Sequence, residues 1–266
     1  MLASLSFTRT VAVVLALSPL PGPALARQTA LDTAGADVEP TVELGVDLAF
    51  NSRYLFRGMV YSDGPVTQVT AWASTDKLYL YTWSNLALPA AAGAQPLDEI
   101  DVGAAYRFKR GAVTVVPAVD LYLYRLSREE RAEGSASHTA EASATVAYAA
   151  GGAAVFLRHV VDTDSYAGAY FGTLGVRYDR ALTSKTGLGA AVSVGWASAR
   201  YHRAYLERAK PGVSLVAARA SATRQLGGGL YLTSHVELTT VPDARLRAYV
   251  ARPTVIASGL TIGFAR

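Results

Sequence analysis

The chain has 266 residues, with 25 Lys and Arg against 21 Asp and Glu, and no Cys. Without Cys it has no disulfides, no thiol chemistry and no acylated lipoprotein terminus. A formal charge of +4 with no basic run gives no reason to expect a nucleic-acid partner. Hydrophobic residues make up 51% and mean hydropathy is +0.20, yet past the start no apolar stretch reaches the about 18 residues of a membrane helix. Hydrophobicity this high, divided into short pieces, suits strands that cross a bilayer as a closed barrel.

Residues 1–26 read as a signal peptide. Arg9 supplies the positive start, Val11 to Leu17 the short apolar run, and Ala24-Leu25-Ala26 a small-residue cleavage site. Residues 27–41 read as a short periplasmic lead and 42–266 as the barrel. The mature chain would carry 24 bases against 21 acids, since Arg9 is the only charge removed.

Alternation begins at once: Val42, Leu44, Val46, Leu48 and Phe50 oppose Glu43, Gly45, Asp47, Ala49 and Asn51. Period-two patterning predicts twelve strands, near 42–61, 65–75, 78–88, 98–108, 112–126, 138–148, 153–162, 167–178, 186–199, 211–222, 229–240 and 254–264. The third, seventh and tenth have apolar residues on both parities, so their facing stays open. With the N-terminus periplasmic, the links Thr75–Lys77, Lys109–Gly111, Ala149–Gly152, Asp179–Lys185 and Thr223–Gly228 fall on one side. The links Ser62–Gly64, Pro89–Leu97, Ser127–Ser137, Thr163–Tyr166, Arg200–Lys210 and Val241–Pro253 fall on the other and are on the whole longer, as outer loops should be. No loop is long enough to be expected as a plug. Tyr54, Phe56, Tyr61, Tyr106, Phe108, Tyr148, Tyr178, Trp196 and Phe264 are expected near the membrane interfaces. The first strand is anomalous: Val42 to Arg57 exceeds the about 9–11 residues that cross a membrane. Either it projects, or a bulge near Asn51 resets its parity.

The stretch Asn51-Ser52-Arg53-Tyr54-Leu55-Phe56-Arg57-Gly58, followed by Ser62-Asp63-Gly64-Pro65 and Gln68, resembles the opening of the TorF family of porins. Trp83-Ser84-Asn85 is similar to that family's third strand, and the resemblance covers about residues 42–86. It implies an outer-membrane barrel and a porin role. The final strand resembles the C-terminal signal read by the barrel assembly machinery, although Ala265 and Arg266 follow Phe264.

Strand parity places Glu43, Asp47, Asp101, Asp120, Glu141 and Glu237 in the lumen with Arg53, Arg57, Arg107 and Arg177. Arg158 and Arg219 have less certain facing. A lipid-facing Arg or Lys at mid-bilayer costs about 2–4 kcal/mol, which forces most of these inward. Arg57 is expected to pair with a lumen carboxylate such as Asp47, the alternative being a direct role in solute selection. Facing acids and bases can form a constriction that sorts solutes, or pair off and close the barrel.

No nucleophile elbow or metal-binding helix motif occurs, so no enzyme activity, cofactor or metal is expected. Ser234 beside His235 would suit a lipid-modifying enzyme, but strand neighbours face opposite ways. The resulting expectation is an all-β, twelve-stranded, up-and-down antiparallel barrel of the Gram-negative outer membrane. It would contact lipid and pass small polar solutes by diffusion. The alternatives are a closed structural or adhesion barrel acting through its loops, a lipid enzyme, and a soluble exported barrel.

Overall fold

A computed structural model describes residues 42–88, 97–126, 132 and 134–266, so the predicted signal peptide and lead lie outside it. The chain forms β1 (Glu43–Asn51), β2 (Tyr54–Phe56), β3 (Met59–Ser62), β4 (Val66–Ser74), β5 (Leu78–Ala87), β6 (Leu97–Tyr106), β7 (Phe108–Arg110) and β8 (Val113–Tyr124). Then come β9 (His138–Ala150), β10 (Ala153–Asp162), β11 (Tyr170–Ala181), β12 (Thr186–Ala197), α1 (Ala199–Leu206), β13 (Gly212–Gly227), β14 (Leu230–Thr240), α2 (Ala244–Arg247) and β15 (Thr254–Ala265).

Consecutive wall strands pair antiparallel, and β1 closes the sheet on β15 from Gly45 opposite Ala265 to Asn51 opposite Gly259. β6 and β7 both pair with β8 and are two parts of one wall strand, interrupted at Arg107. The wall therefore has the twelve strands that alternation predicts. β2 and β3 are not among them. They form a separate two-stranded sheet, while β1 pairs directly with β4. The predicted strand 42–61 is thus corrected to a wall strand ending at Asn51 and a hairpin folded into the lumen.

The barrel is apolar outside and polar inside. On β15, Ile256, Leu260, Ile262 and Phe264 are exposed, whereas Val255, Ala257, Thr261 and Ala265 are buried. On β4 the inward set is Val66, Gln68, Thr70, Trp72 and Ser74. Tyr106, Phe108, Tyr148, Tyr178 and Phe264 are exposed near the short-turn ends of their strands, an aromatic belt at one rim. Tyr54 and Phe56 depart from that expectation: they are buried in the lumen as part of the hairpin. One end of the barrel carries tight turns, such as 111–112, 151–152 and 228–229. The other carries the hairpin, α1 and α2, so the predicted asymmetry of the links is present.

Gly103 and Gly263 are among the positions where glycine permits close approach. Gly103 faces Tyr81 on one side and Asp120 on the other, and Gly263 lies likewise between Tyr231 and Asp47. A Cβ at Gly103 would lie 2.1 Å from Tyr81 Cε1, and one at Gly263 2.2 Å from Tyr231 Cζ. Each ring lies flat across the glycine and reaches the carboxylate two strands away. Tyr81 Oη donates to Asp120 Oδ1 at 2.6 Å, and Tyr231 Oη donates to Asp47 Oδ1.

Candidate functional site

The lumen changes character along its height and around its wall. Near the long-loop end the β2–β3 hairpin fills it. Its register, Phe56 opposite Met59, leaves Arg57 and Gly58 as a two-residue turn. Their φ values of 50° and 84° are both positive, as a type I′ turn requires. Gly58 takes that conformation freely, whereas Arg57 takes it at a cost, and the result is a guanidinium aimed inward from the hairpin tip.

That guanidinium meets Glu141 of β9 in a two-pronged pair, Nη1 to Oε1 at 2.8 Å and Nη2 to Oε2 at 2.5 Å. Both side chains are only 2% exposed. Arg57 also lies over the rings of Phe56, Phe171 and Tyr201, with centroids 4.5, 5.1 and 5.6 Å away. Tyr122 Oη donates to Glu141 Oε2 at 2.8 Å.

Beside it stands a second set of the same composition. Asp120 is the cross-strand neighbour of Glu141. It accepts from Tyr81 and lies 3.8 Å from Arg158 Nη2. Two adjacent carboxylates would repel each other, so each has its own arginine and its own tyrosine. Glu99 and Asp101, buried on β6, extend this acidic wall. Tyr54 of the hairpin lies beside Glu99. Tyr54 and Phe56 of the hairpin pack in one aromatic cluster with Trp83, Tyr122, Phe171 and Tyr201 around them.

The opposite wall is wetter and lined with smaller groups. Arg177 Nε lies 3.2 Å from Asp179 Oδ2, with side chains 17% and 40% exposed. Arg219 Nη1 lies 3.2 Å from Glu237 Oε2, at 36% and 22%. Gly189, Ala191, Ser221 and Gly259 are half-buried around them. Toward the long-loop end this wall too becomes buried, at Ser214, Leu215, Thr239 and Val255.

Of the ten sequence-predicted lumen residues, Asp47, Arg57, Asp101, Asp120 and Glu141 are buried inside, and Arg177 and Glu237 face the wetter space. The other three lie at the ends of the barrel. Arg53 stands at the long-loop rim, where its Nε donates to Asp63 Oδ1 at 2.8 Å and Nη1 to the Ile256 carbonyl at 2.9 Å. Arg107 sits in the β6–β7 break and donates from Nε to the Asp76 carbonyl at 3.0 Å, fastening a short turn. Glu43 is half-buried where β1 begins. Arg57 faces inward, but its partner is Glu141 instead of Asp47, because the hairpin carries it across the barrel. Glu99, Tyr81 and Tyr122 were not among the expected site residues. Apolar or aromatic rings on the inward parity of β5 hid that strand's facing, and register across strands is not written in any one of them.

Ion pairs between loops fasten the long-loop rim. Asp63 also pairs with Arg252, and Lys210 pairs with Asp243. The hydrogen bond from Arg53, seconded by Arg252, holds the Asp63 carboxyl below the usual carboxylate range. Lys210, then the Arg245 backbone N–H, does the same for Asp243.

No protein-family model matches the chain, and no curated protein matches it in sequence. Among solved structures it is similar to the NanC porin, with TM-score 0.53 and 11% identity over 83% of this chain and 98% of that one. It is similar also to the KdgM porin, with TM-score 0.51 and 10% identity over 83% and 98%. What the likeness establishes is the fold. At that identity side chains in the lumen are this chain's own.

Proposed function

We propose that this chain is a porin-like barrel of the outer membrane through which small hydrophilic solutes diffuse passively. The observation that carries the reading is sidedness: a closed wall with apolar residues outward and charged ones inward. A soluble barrel would bury its apolar parity instead, and lipid outside suits the arrangement. The fold shared with two porins and the TorF-like opening support it.

In this reading the short-turn end faces the periplasm and the long-loop rim the exterior. Arg177–Asp179 and Arg219–Glu237 line the wet part of the passage, where solutes are sorted by width and by the field of these pairs. No step needs energy coupling. The belt around Phe264 and the outward face of β15 would meet lipid and, during assembly, the barrel assembly machinery.

Planar-bilayer recording of purified, folded protein tests the proposal, with discrete conductance steps expected. Complete silence, including from variants that loosen the hairpin, would overturn it. One observation favours a second reading, a closed barrel acting through its loops: the dry Arg57–Glu141 pair fills the lumen near the rim. Silence throughout, with loop-dependent binding to surfaces, is its signature. The lipid-enzyme reading draws no support, since Ser234 is exposed outside while His235 is turned inward.

A further inference from the structure

We propose that the β2–β3 hairpin is a movable plug latched by Arg57 and Glu141, and that its withdrawal leaves an acid-lined passage favouring cations. The inference rests on the channel reading and adds to it a gate and a solute class.

The wall does not need the hairpin. β1 and β4 are hydrogen-bonded to each other along their full length, so no wall bond breaks if the hairpin moves. Its two bases are pinned where it leaves the wall. Ser52 N donates to the Ser258 carbonyl at 2.8 Å, and Leu88 N donates to the Pro65 carbonyl at 2.9 Å. Between those pins the hairpin is a compact body with a type I′ tip, held among the described residues by side-chain contacts. Arg57 on Glu141 is the buried charged hold, Arg53 on the Ile256 carbonyl and Asp63 on Arg252 tie its base at the rim, and ring contacts add to these.

The latch also sets the charge of the passage. With the plug seated, Glu141 pairs with Arg57 and Asp120 lies 3.8 Å from Arg158, while Glu99 and Asp101 are buried on the neighbouring strand. Once it leaves, Arg158 is the buried guanidinium that remains beside them among the described residues. Asp101 is 3% exposed, and its Oδ1 has no hydrogen-bond partner among the described residues. Carboxylates gathered in a narrow, low-dielectric passage concentrate the field and raise the local cation concentration. Arg57 is therefore both the fastening of the plug and the counterion of the passage it blocks.

The absence of Cys makes the test direct, because an introduced pair has no competing thiol. A Cβ at Gly58 would lie 3.6 Å from Leu215 Cβ, within the about 3.5–4.5 Å that a disulfide spans. The double variant Gly58→Cys/Leu215→Cys is recorded in planar bilayers under a KCl gradient, oxidised and then reduced, with folding checked by circular dichroism. The oxidised form should be silent. Reduction should restore openings whose reversal potential favours potassium over chloride. Equal conductance in both redox states overturns the plug, and a chloride preference overturns the solute class. Glu141→Gln gives a staple-free check: by stranding Arg57 it should raise the open-to-closed ratio roughly 100-fold. An unchanged ratio overturns the latch. Silence from wild type, reduced double variant and Glu141→Gln alike would instead sink the channel reading beneath it.

Discussion

Arg57–Glu141 and Arg219–Glu237 are chemically the same pair in two different media. The first is two-pronged, sealed among rings and 2% exposed on both sides. The second makes one 3.2 Å contact with its side chains 36% and 22% exposed. Water decides what each can do. A sealed pair holds a position strongly because neither partner has an alternative, whereas a wet pair exchanges partners with solvent and with anything passing. The lumen thus has a dry, fastening side under the hairpin and a wet side along β11 to β14.

The sharpest break of that contrast is to neutralise each acid in turn. Glu141→Gln should cost the seated hairpin about 3 kcal/mol, read as roughly 100-fold faster hydrogen exchange across residues 54–62. Glu237→Gln should cost under about 1 kcal/mol in denaturant unfolding, because its arginine is already hydrated. Similar losses for the two would erase the distinction.

A smaller effect is expected where packing, not charge, is disturbed. Gly263→Ala puts a methyl where the Tyr231 ring lies and should destabilise by about 1–3 kcal/mol, measured by the denaturant midpoint in detergent. Gly187→Ala is the control: its Cβ would meet nothing nearer than 3.7 Å. An equal cost at both positions would show that ring placement over glycine does not matter.

The smallest effect belongs to the exposed rim. Asp63 and Asp243 have carboxyls held below their ordinary range, so their ties are complete above that range and fail only as pH falls through the lowered values. A spin label at Ser62→Cys should be equally immobile at pH 7 and pH 5, and freer below about pH 4. Loosening already at pH 6 would assign the rim's order to some other group.

Much of the wall was legible in the sequence. The strands expected at 153–162 and 254–264 are Ala153–Asp162 and Thr254–Ala265. Alternation leaves little freedom, since a one-residue slip would turn every charge to the apolar face. β5 resisted because it carries Tyr79, Tyr81, Trp83 and Asn85 inward, so aromatic rings stand on the polar face. The hairpin resisted for a subtler reason. Tyr54 and Phe56 continue the apolar parity of β1, and Arg57-Gly58 is a weaker turn signal than the Asn-Gly that type I′ turns favour. Only excess length marked the segment as more than one strand. The Arg57–Glu141 pair joins residues 84 apart through a motion out of the wall that no periodicity encodes.

The hydroxyl of Tyr231 lying over Gly263 to reach Asp47 joins the first wall strand to the last two, across 184 residues of chain. So distant a contact carries a large loop-closure cost and cannot form early. It comes into being when the β1–β15 seam shuts, and at no earlier stage can the same three groups meet. Tyr231 is therefore a built-in reporter of completion: its fluorescence or nitration rate would distinguish an open sheet from a finished cylinder while the protein is still being assembled.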